Sequence, residues 1–135
     1  MPTPTNYQVP RERGEIGRMP IAANVQFGQN ELVFRNAQGE AVPWSADAAL
    51  VPLGVARAPF DNAGGPAKAF ELEYLEAGTF GLKIHADDPV STAEVSTLVY
   101  AAGPNAVAKT SDGDTRPPLG KLRGVYEGRA WIRFI

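Results

Sequence analysis

The lone histidine and the two aspartates that follow it are the residues of this sequence best suited to chemistry. His85 lies close before Asp87 and Asp88, and a His–Asp pair can act as a general base when the fold positions a nucleophile beside it. The chain has no cysteine and no Gly-x-Ser-x-Gly motif, so neither a thiolate nor the usual serine elbow is available. His85 also falls on the solvent side of a predicted strand. We therefore expect a surface histidine and no catalytic site.

The remaining acidic groups fit turns and exposed strand faces better than metal or catalytic sites. Asp112-Gly113-Asp114 has residue types found in calcium loops, but it lacks the further oxygen ligands and the closing glutamate. Glu71 and Glu73 could face a sugar ring as a glycosidase pair does, although alternating glutamates are ordinary on a solvated strand. One histidine with carboxylates is a poor zinc ligand set. We expect no metal, no cofactor and no enzyme activity.

Composition and charge narrow the class of protein. The 135 residues fit one domain, and 14 glycines and 12 prolines leave windows suited to short strands and not to long helices. The net charge of −2 disfavours nucleic-acid binding, which relies on a basic face. No apolar run approaches the roughly 20 residues of a membrane helix, and the first residues lack the apolar stretch of a signal peptide. We expect a soluble protein that binds neither nucleic acid nor membrane.

Period-two alternation predicts most of the strands. Residues 70–74 and 79–85 alternate most clearly and predict a hairpin that buries one apolar face. Ser91-Thr92-Ala93-Glu94 is a capping box and predicts a helix of about two turns. The other predicted strands are residues 31–35, 40–44, 50–56, 98–100, 106–109, 119–126 and 130–135, the last two joined at Glu127-Gly128 and Pro43 marking a sheet edge.

Three short motifs recur at a nearly constant spacing. Leu32-Val33-Phe34, Ala41-Val42-Pro43 and Pro52-Leu53-Gly54 are echoed 66, 65 and 66 residues later, at 98–100, 106–108 and 118–120. The echo predicts two copies of one β-unit that pack together as a sandwich or partly open barrel. Gly54 and Gly120 would then occupy matching bends or close backbone approaches. Similar hairpins can also recur by chance in β proteins.

The two ends of the chain carry the residues that could contact a partner. Residues 1–20 contain four prolines and predict an extended N-terminal arm, while residues 21–135 predict a single β domain. The arm could be a frayed terminus, or it could order on a neighbouring subunit. The last strand is largely apolar on both faces, so it is either central or meets another chain. The candidate partner-binding residues are Tyr7, Val9, Arg11, Arg13, Ile16, Arg18, Trp131 and Arg133.

Several short motifs together have a familiar pattern. They are Asn105-Ala106-Val107-Ala108-Lys109-Thr110, Leu119-Gly120-Lys121-Leu122-Arg123-Gly124-Val125, Trp131-Ile132, and the stretches 39–43, 53–56 and 60–65. These motifs resemble a family of small phage and prophage head proteins, whose genes commonly lie beside the major capsid gene of Mu-like and related phages. The order of parts, with a strand beginning Gly78-Thr79-Phe80, also resembles the lambda-type head decoration protein. The resemblance covers roughly residues 15 to 135.

This resemblance implies a fold and a function. It implies a β-tulip-like decoration, or cement, protein that sits as a homotrimer on the capsid exterior. Such a protein assembles in the host cytoplasm, binds the major capsid protein and adds an arm strand to the shell. The charged arm of this chain departs from that pattern, and the family offers no active site to carry over. A small-ligand or glycan-binding β-barrel is the alternative, and a nucleic-acid-binding barrel is less consistent with the charge.

Overall fold

The computed structural model describes residues 16–134, which are almost entirely β. Strands make up 46% and helix 3% of the structure, and no helix in the described range reaches seven residues. The predicted all-β class with one short helix is confirmed. No helix between residues 16 and 134 is long and apolar enough to cross a membrane. Four candidate residues of the predicted arm lie outside the described range: Tyr7, Val9, Arg11 and Arg13.

The described strands form two five-stranded sheets and one small two-stranded sheet. In chain order they are β1 Ile16–Pro20, β2 Gln26–Phe27, β3 Leu32–Arg35, β4 Ala41–Pro43, β5 Val51–Ala56, β6 Phe60–Asp61, β7 Glu71–Leu75, β8 Phe80–Ile84, β9 Leu98–Ala101, β10 Ala106–Ala108, β11 Pro118–Tyr126 and β12 Arg129–Phe134. The first sheet has the order β1-β7-β5-β3-β4, the second closes into the barrel β10-β8-β12-β11-β9, and β2 pairs with β6.

The two large sheets repeat one strand order and one register. The first sheet (β1, β3, β4, β5 and β7) is repeat 1, and the barrel (β8 to β12) is repeat 2. Leu53 of β5 and Leu119 of β11 are the extra residues of bulges at the same place in the two ladders. Four cross-strand pairs of repeat 1 have an equivalent pair in repeat 2. Val33–Gly54 corresponds to Val99–Gly120, Arg35–Ala41 to Ala101–Val107, Val55–Leu75 to Lys121–Arg133, and Met19–Leu72 to Leu82–Ala130.

The closure of the barrel is also repeated. In repeat 2, a parallel pair between Ile84 and Val107 joins β8 to β10. In repeat 1, an isolated parallel bridge joins Ile21 to Ala41 at the corresponding place. Repeat 1 is therefore a barrel that is closed by one bridge. The predicted internal repeat is confirmed, and each copy is larger than the sequence echo because it includes a first and a last strand with little similarity.

Two glycines beside the bulges allow neighbouring strands to approach closely. A Cβ atom on Gly54 would collide with the carbonyl oxygen of Leu75, and one on Gly120 would collide with that of Arg133. These carbonyls belong to the equivalent strands β7 and β12. The matching close approaches predicted for Gly54 and Gly120 are therefore confirmed.

Each repeat has its own buried interior. A cluster inside repeat 1 includes Ile21, Val33 and Leu72. At the equivalent positions, Val99 and Ala130 lie in the cluster of repeat 2 and Ile84 packs against it. The cluster of repeat 2 is larger because Leu32 and Phe34, on the outside of repeat 1, join it. The two barrels are thus joined by apolar packing in which the outside of repeat 1 meets repeat 2.

The predicted hairpin of residues 70–85 is wrong, although both of its strands exist. Strand β7 pairs with β1 and β5, whereas β8 pairs with β10 and β12. The chain passes from repeat 1 to repeat 2 between them, and alternation in the sequence gives a strand's faces but not its partners. Leu72 and Leu82 are buried as predicted, but Phe70 is 56% exposed and packs its ring against Phe60 at 5.6 Å.

The predicted helix is shorter than expected. The capping box forms, since Ser91 N donates to Glu94 Oε1 at 2.7 Å and Ala93 N donates to Ser91 Oγ at 3.3 Å. The helix is nevertheless a single 3₁₀ turn, Thr92–Glu94, because Val95 is extended and Ser96 has a φ of 72°. A cap favours the start of a helix but does not supply the length that sustains one.

The boundary predicted between arm and domain also differs from the structure. Residues Ile16–Pro20 were expected in the arm, but they form β1 along the whole of β7. Met19 packs against the interior of repeat 1, and the next residue after β1, Ile21, is fully buried. Pro20 does not prevent pairing, because it ends the strand at an edge of the sheet.

Candidate functional site

The last hairpin presents its outer surface on a rigid frame. Strands β11 and β12 are joined by Glu127 and Gly128, whose φ angles are 56° and 70°. Two positive φ angles are typical of the tight turn whose twist matches paired strands. Strand β12 lies between β11 and β8, with Ala130 and Ile132 fully buried on its inner side. Trp131 and Arg133, which alternate with these buried residues, therefore project from the outside of the barrel.

A stacked aromatic pair covers part of this outer surface. The rings of Trp131 and Tyr126 are 4.9 Å apart and within 9° of parallel, and Trp131 Nε1 donates to the Tyr126 carbonyl oxygen at 3.1 Å. Gly124 and Gly81 flank Trp131 in the sheet. A Cβ atom on Gly124 would lie 2.9 Å from the Tyr126 ring, and one on Gly81 would lie 3.1 Å from the Trp131 ring. The glycines let both rings lie flat on the strands, with Tyr126 54% exposed.

Three cations lie beside the aromatic pair. Lys121 and Arg133 are directly opposite each other in the ladder, and Arg123 is the extra residue of a bulge in β11. All three are exposed, and with Phe134 they line an open cleft of about 290 Å³. None of the three forms an ion pair with any residue in the range 16–134. Like charges directly opposite each other in a sheet are unfavourable, so this surface is suited to an anionic partner.

We define the hairpin face as Lys121, Arg123, Tyr126, Trp131 and Arg133. Trp131 and Arg133 were predicted as partner-binding residues, and the structure places both on this face. The two apolar faces predicted for the last strand are only partly observed, because Arg133 is exposed and Trp131 is half-buried. The other three residues were not predicted. The sequence indication for the cations was the alternation of Lys121 and Arg123 along β11. Only the pairing of β11 with β12 shows that they lie beside Arg133 and Trp131.

The two candidate partner-binding residues of the predicted arm that the structure describes are part of the domain. Ile16 lies opposite Leu75, and Arg18 lies opposite Glu73 with 3.8 Å between Arg18 Nε and a carboxylate oxygen. Glu73 also pairs with Arg57 at 2.8 Å. The backbone of Ile16 and Arg18 already pairs with β7 on one side. Any addition of a strand to a partner would therefore use the other edge of β1 or the residues before 16.

No hydrogen bond joins His85 to Asp88 in the described part of the chain. His85 is half-buried and not on the surface as predicted, and its Nδ1 atom is buried without a hydrogen-bond partner among the described residues. Asp88 Oδ2 accepts from the Thr110 hydroxyl at 2.6 Å, the Thr110 amide at 3.0 Å and Arg116 Nη1 at 2.8 Å. The Thr110 hydroxyl first, and then the Thr110 amide and Arg116, lower the pKa of Asp88 below its usual range. The aspartate thus anchors the 110–116 loop.

The other groups singled out in the sequence have structural settings. Asp112, Gly113 and Asp114 have φ angles of 51°, 68° and 64° and form a turn. Within residues 16–134, no three acidic, histidine or cysteine side chains are grouped as metal ligands. An open cleft of about 420 Å³ between the repeats is lined by polar groups that include Asn30, Asn105 and Arg129. Asn105 Nδ2 donates to the Asn30 carbonyl oxygen at 2.8 Å, so part of this lining holds the repeats together.

Comparison of the chain with protein families, with curated proteins and with solved structures finds no match. The hairpin face and the repeat architecture are therefore the features from which a function is proposed.

Proposed function

We propose that this protein binds the outside of an assembled phage head and stabilises it by bridging neighbouring copies of the major capsid protein. The observation that carries the proposal is the hairpin face, where a pair of strands presents two stacked aromatic rings beside three cations that have no ionic partner among residues 16–134. Tyrosine, tryptophan and arginine are the residues that most often dominate protein–protein binding energy. The resemblance to small head proteins supports the same conclusion.

The chemistry of binding follows from that surface. Flat aromatic rings bury a large area at low entropic cost, and the guanidinium groups can pair with partner carboxylates. A head offers many identical sites, and copies of the protein that also join each other, as in a homotrimer, would bind with avidity. Residues 1–15 precede the edge strand β1 and could add a strand to the shell protein.

Sedimentation with empty heads tests this proposal. Heads produced in the host without this chain would be mixed with the full chain, with a chain lacking residues 1–15, and with the double variant Tyr126→Ala/Trp131→Ala. The truncation stops at residue 15 because β1 belongs to the domain. We expect saturable binding of the full chain and weaker binding of both altered chains.

The controls separate binding from folding. The unfolding midpoint of each chain is measured to show that it folds. Glu71→Ala, at an exposed position distant in sequence from the hairpin face, should bind heads as the full chain does. Absence of binding by the full chain to heads of its own genome refutes the proposal. Full occupancy by the truncated chain removes the arm from the mechanism.

A further inference from the structure

The repeated register gives Lys121 and Arg133 of the hairpin face equivalents in repeat 1, namely Val55 and Leu75. On the outside of repeat 1, Leu32, Val55 and Leu75 lie side by side across three strands. The equivalent row in repeat 2 is Leu98, Lys121 and Arg133, paired in the same way. We call these the outer row of repeat 1 and the outer row of repeat 2. They differ in chemistry although the backbone beneath them is the same.

The outer row of repeat 1 is an interface within the molecule. Leu32 is 0% and Val55 2% exposed, and Leu75 packs against the same cluster as the interior of repeat 2. Polar contacts border this packing: Leu32 N donates to the Pro104 carbonyl oxygen at 2.8 Å, and Trp44 Nε1 donates to the Ala101 carbonyl oxygen at 2.9 Å. The barrel surface at this row is thus suited to burying another protein surface.

The outer row of repeat 2 is open. Leu98 is 40% exposed, and Lys121 and Arg133 are exposed beside it. Two of the three apolar residues of repeat 1 have been replaced by cations that face each other. Two like charges directly opposite each other do not stabilise a solvent-facing row. An opposed Glu–Lys pair would stabilise the ladder by roughly a few tenths of a kcal/mol, whereas an opposed Lys–Arg pair destabilises it.

We propose that the outer row of repeat 2, together with Arg123, is a docking site for an acidic polypeptide surface. This proposal rests on the proposed function and names the chemistry of the shell surface that the protein contacts: carboxylates that pair with Lys121, Arg123 and Arg133, next to an apolar residue that covers Leu98. The row is continuous with the aromatic pair of the hairpin face through Arg133 and Trp131 of β12. The docking site therefore combines charge pairing with apolar burial.

The charge distribution favours a polypeptide over nucleic acid. Nucleic-acid affinity depends on neutralising many phosphates, and the site offers three cations in a chain whose net charge is −2. Leu98 lies opposite Lys121 at an exposed strand position, and half-buried Phe134 lines the cleft together with the cations. Such a mixture of cationic and apolar contacts fits acidic protein segments that also carry apolar side chains.

Neutralising variants test the site on empty heads. Lys121→Gln and Arg133→Gln each remove a charge at an exposed position, and Lys109→Gln, at another exposed cation without an ion pair among residues 16–134, is the matched control. We expect each site variant to bind heads about tenfold more weakly at low salt, with a shallower salt dependence, and the control to bind as the unaltered chain. Unchanged binding by both site variants, while the unaltered chain binds, overturns the docking site and leaves the proposed function standing.

A second measurement does not depend on heads. Backbone amide NMR shifts of the isolated protein would be followed during titration with a deca-glutamate peptide and, separately, with a 20-base-pair DNA duplex. We expect the peptide to shift the amides of residues 98, 121, 123 and 133, and Arg133→Gln to reduce those shifts. Larger shifts at the same amides with DNA, or peptide-induced shifts confined to other parts of the protein, overturn the proposal.

Discussion

Asp88 is the residue whose contacts define a local part of the fold most clearly. Its side chain is 23% and that of Arg116 12% exposed, and a single oxygen, Oδ2, receives the hydrogen bonds from Thr110 and Arg116. Because these bonds favour the carboxylate, the pKa of Asp88 is lower in the folded protein than in the unfolded chain. The carboxylate therefore contributes stability above the unfolded pKa, and this contribution is lost as pH falls through the folded value.

We predict that Asp88→Asn destabilises the protein at neutral pH and not in acid. At pH 7 the free energy of unfolding should fall by about 1–2 kcal/mol, because the charge-assisted bond to Arg116 is lost. The difference between the two proteins should close as pH falls below about 4, where the unfolded aspartate takes up its proton. Urea unfolding at a series of pH values measures this. Asp87→Asn, at the exposed neighbouring position, should have little effect, and a gap that persists at pH 2 would contradict the assignment.

The aromatic pair of the hairpin face depends on two glycines beside it. Gly124 and Gly81 are necessary because a side chain at either position would push against the ring of Tyr126 or Trp131. The sequence shows two scattered aromatic residues and two glycines with no evident relation. Only strand pairing reveals that the four lie together, so the aromatic part of the hairpin face could not be predicted from residue types alone.

At the scale of elements, the bulge within each Pro-Leu-Gly tripeptide is the most characteristic feature of the fold. Pro52 and Pro118 open the two bulges, and Gly54 and Gly120 close them against the carbonyl oxygens of the next strand. A bulge increases local twist and bends a strand, which helps each short sheet to curve into a barrel. The proline and glycine spacing is conserved between the repeats because the same bend is needed twice.

We predict that Gly54→Ala and Gly120→Ala destabilise the protein by similar amounts. Each added methyl group meets a backbone carbonyl that cannot rotate away, and overpacking of this kind costs about 1–3 kcal/mol. Gly39→Ala is the comparison: nothing lies within 4 Å of its Cβ position, so its cost, about 1–2 kcal/mol, comes from the positive φ alone. Denaturant unfolding of the three variants provides the test. Tolerance of one bulge substitution and not the other would argue against equivalent roles.

Strand existence was predictable from the sequence, and strand pairing was not. The alternation in β7 and β8 gives both strands and most of their buried residues, yet the two strands are in different barrels. The echo of Leu-Val-Phe, Ala-Val-Pro and Pro-Leu-Gly identifies three strands of each repeat. Equivalent first strands of the two repeats, β1 and β8, have the same register but almost no sequence similarity. A strand at this position of a barrel needs only alternating apolar residues of suitable size.

At the scale of the whole molecule, the two barrels differ most where they face different neighbours. Val55 lies at the contact between the repeats, and Lys121 occupies the equivalent position on the free side of repeat 2. Burial favours an apolar residue at position 55, whereas contact with solvent or with a charged partner permits lysine at position 121. The candidate site was predictable from sequence only at Trp131 and Arg133, since the meaning of Lys121 depends on this comparison.

We predict that exchanging these two residues changes stability by very different amounts. Val55→Lys buries an ammonium group at the contact between the repeats and should destabilise the protein by several kcal/mol. Lys121→Val removes a like-charge pair at an exposed position and should change the free energy of unfolding by no more than about 0.5 kcal/mol. Thermal and urea unfolding compare the two variants. Similar losses for both would show that the two outer rows are not in different environments.

The most direct test of the account is a cryo-EM map of heads isolated from the host that produces this chain. We predict density for the two-barrel molecule on the outer surface of the shell, with the β11–β12 hairpin and its aromatic pair turned toward the major capsid protein. Heads without such density, or density in which that hairpin faces solvent, would contradict the account.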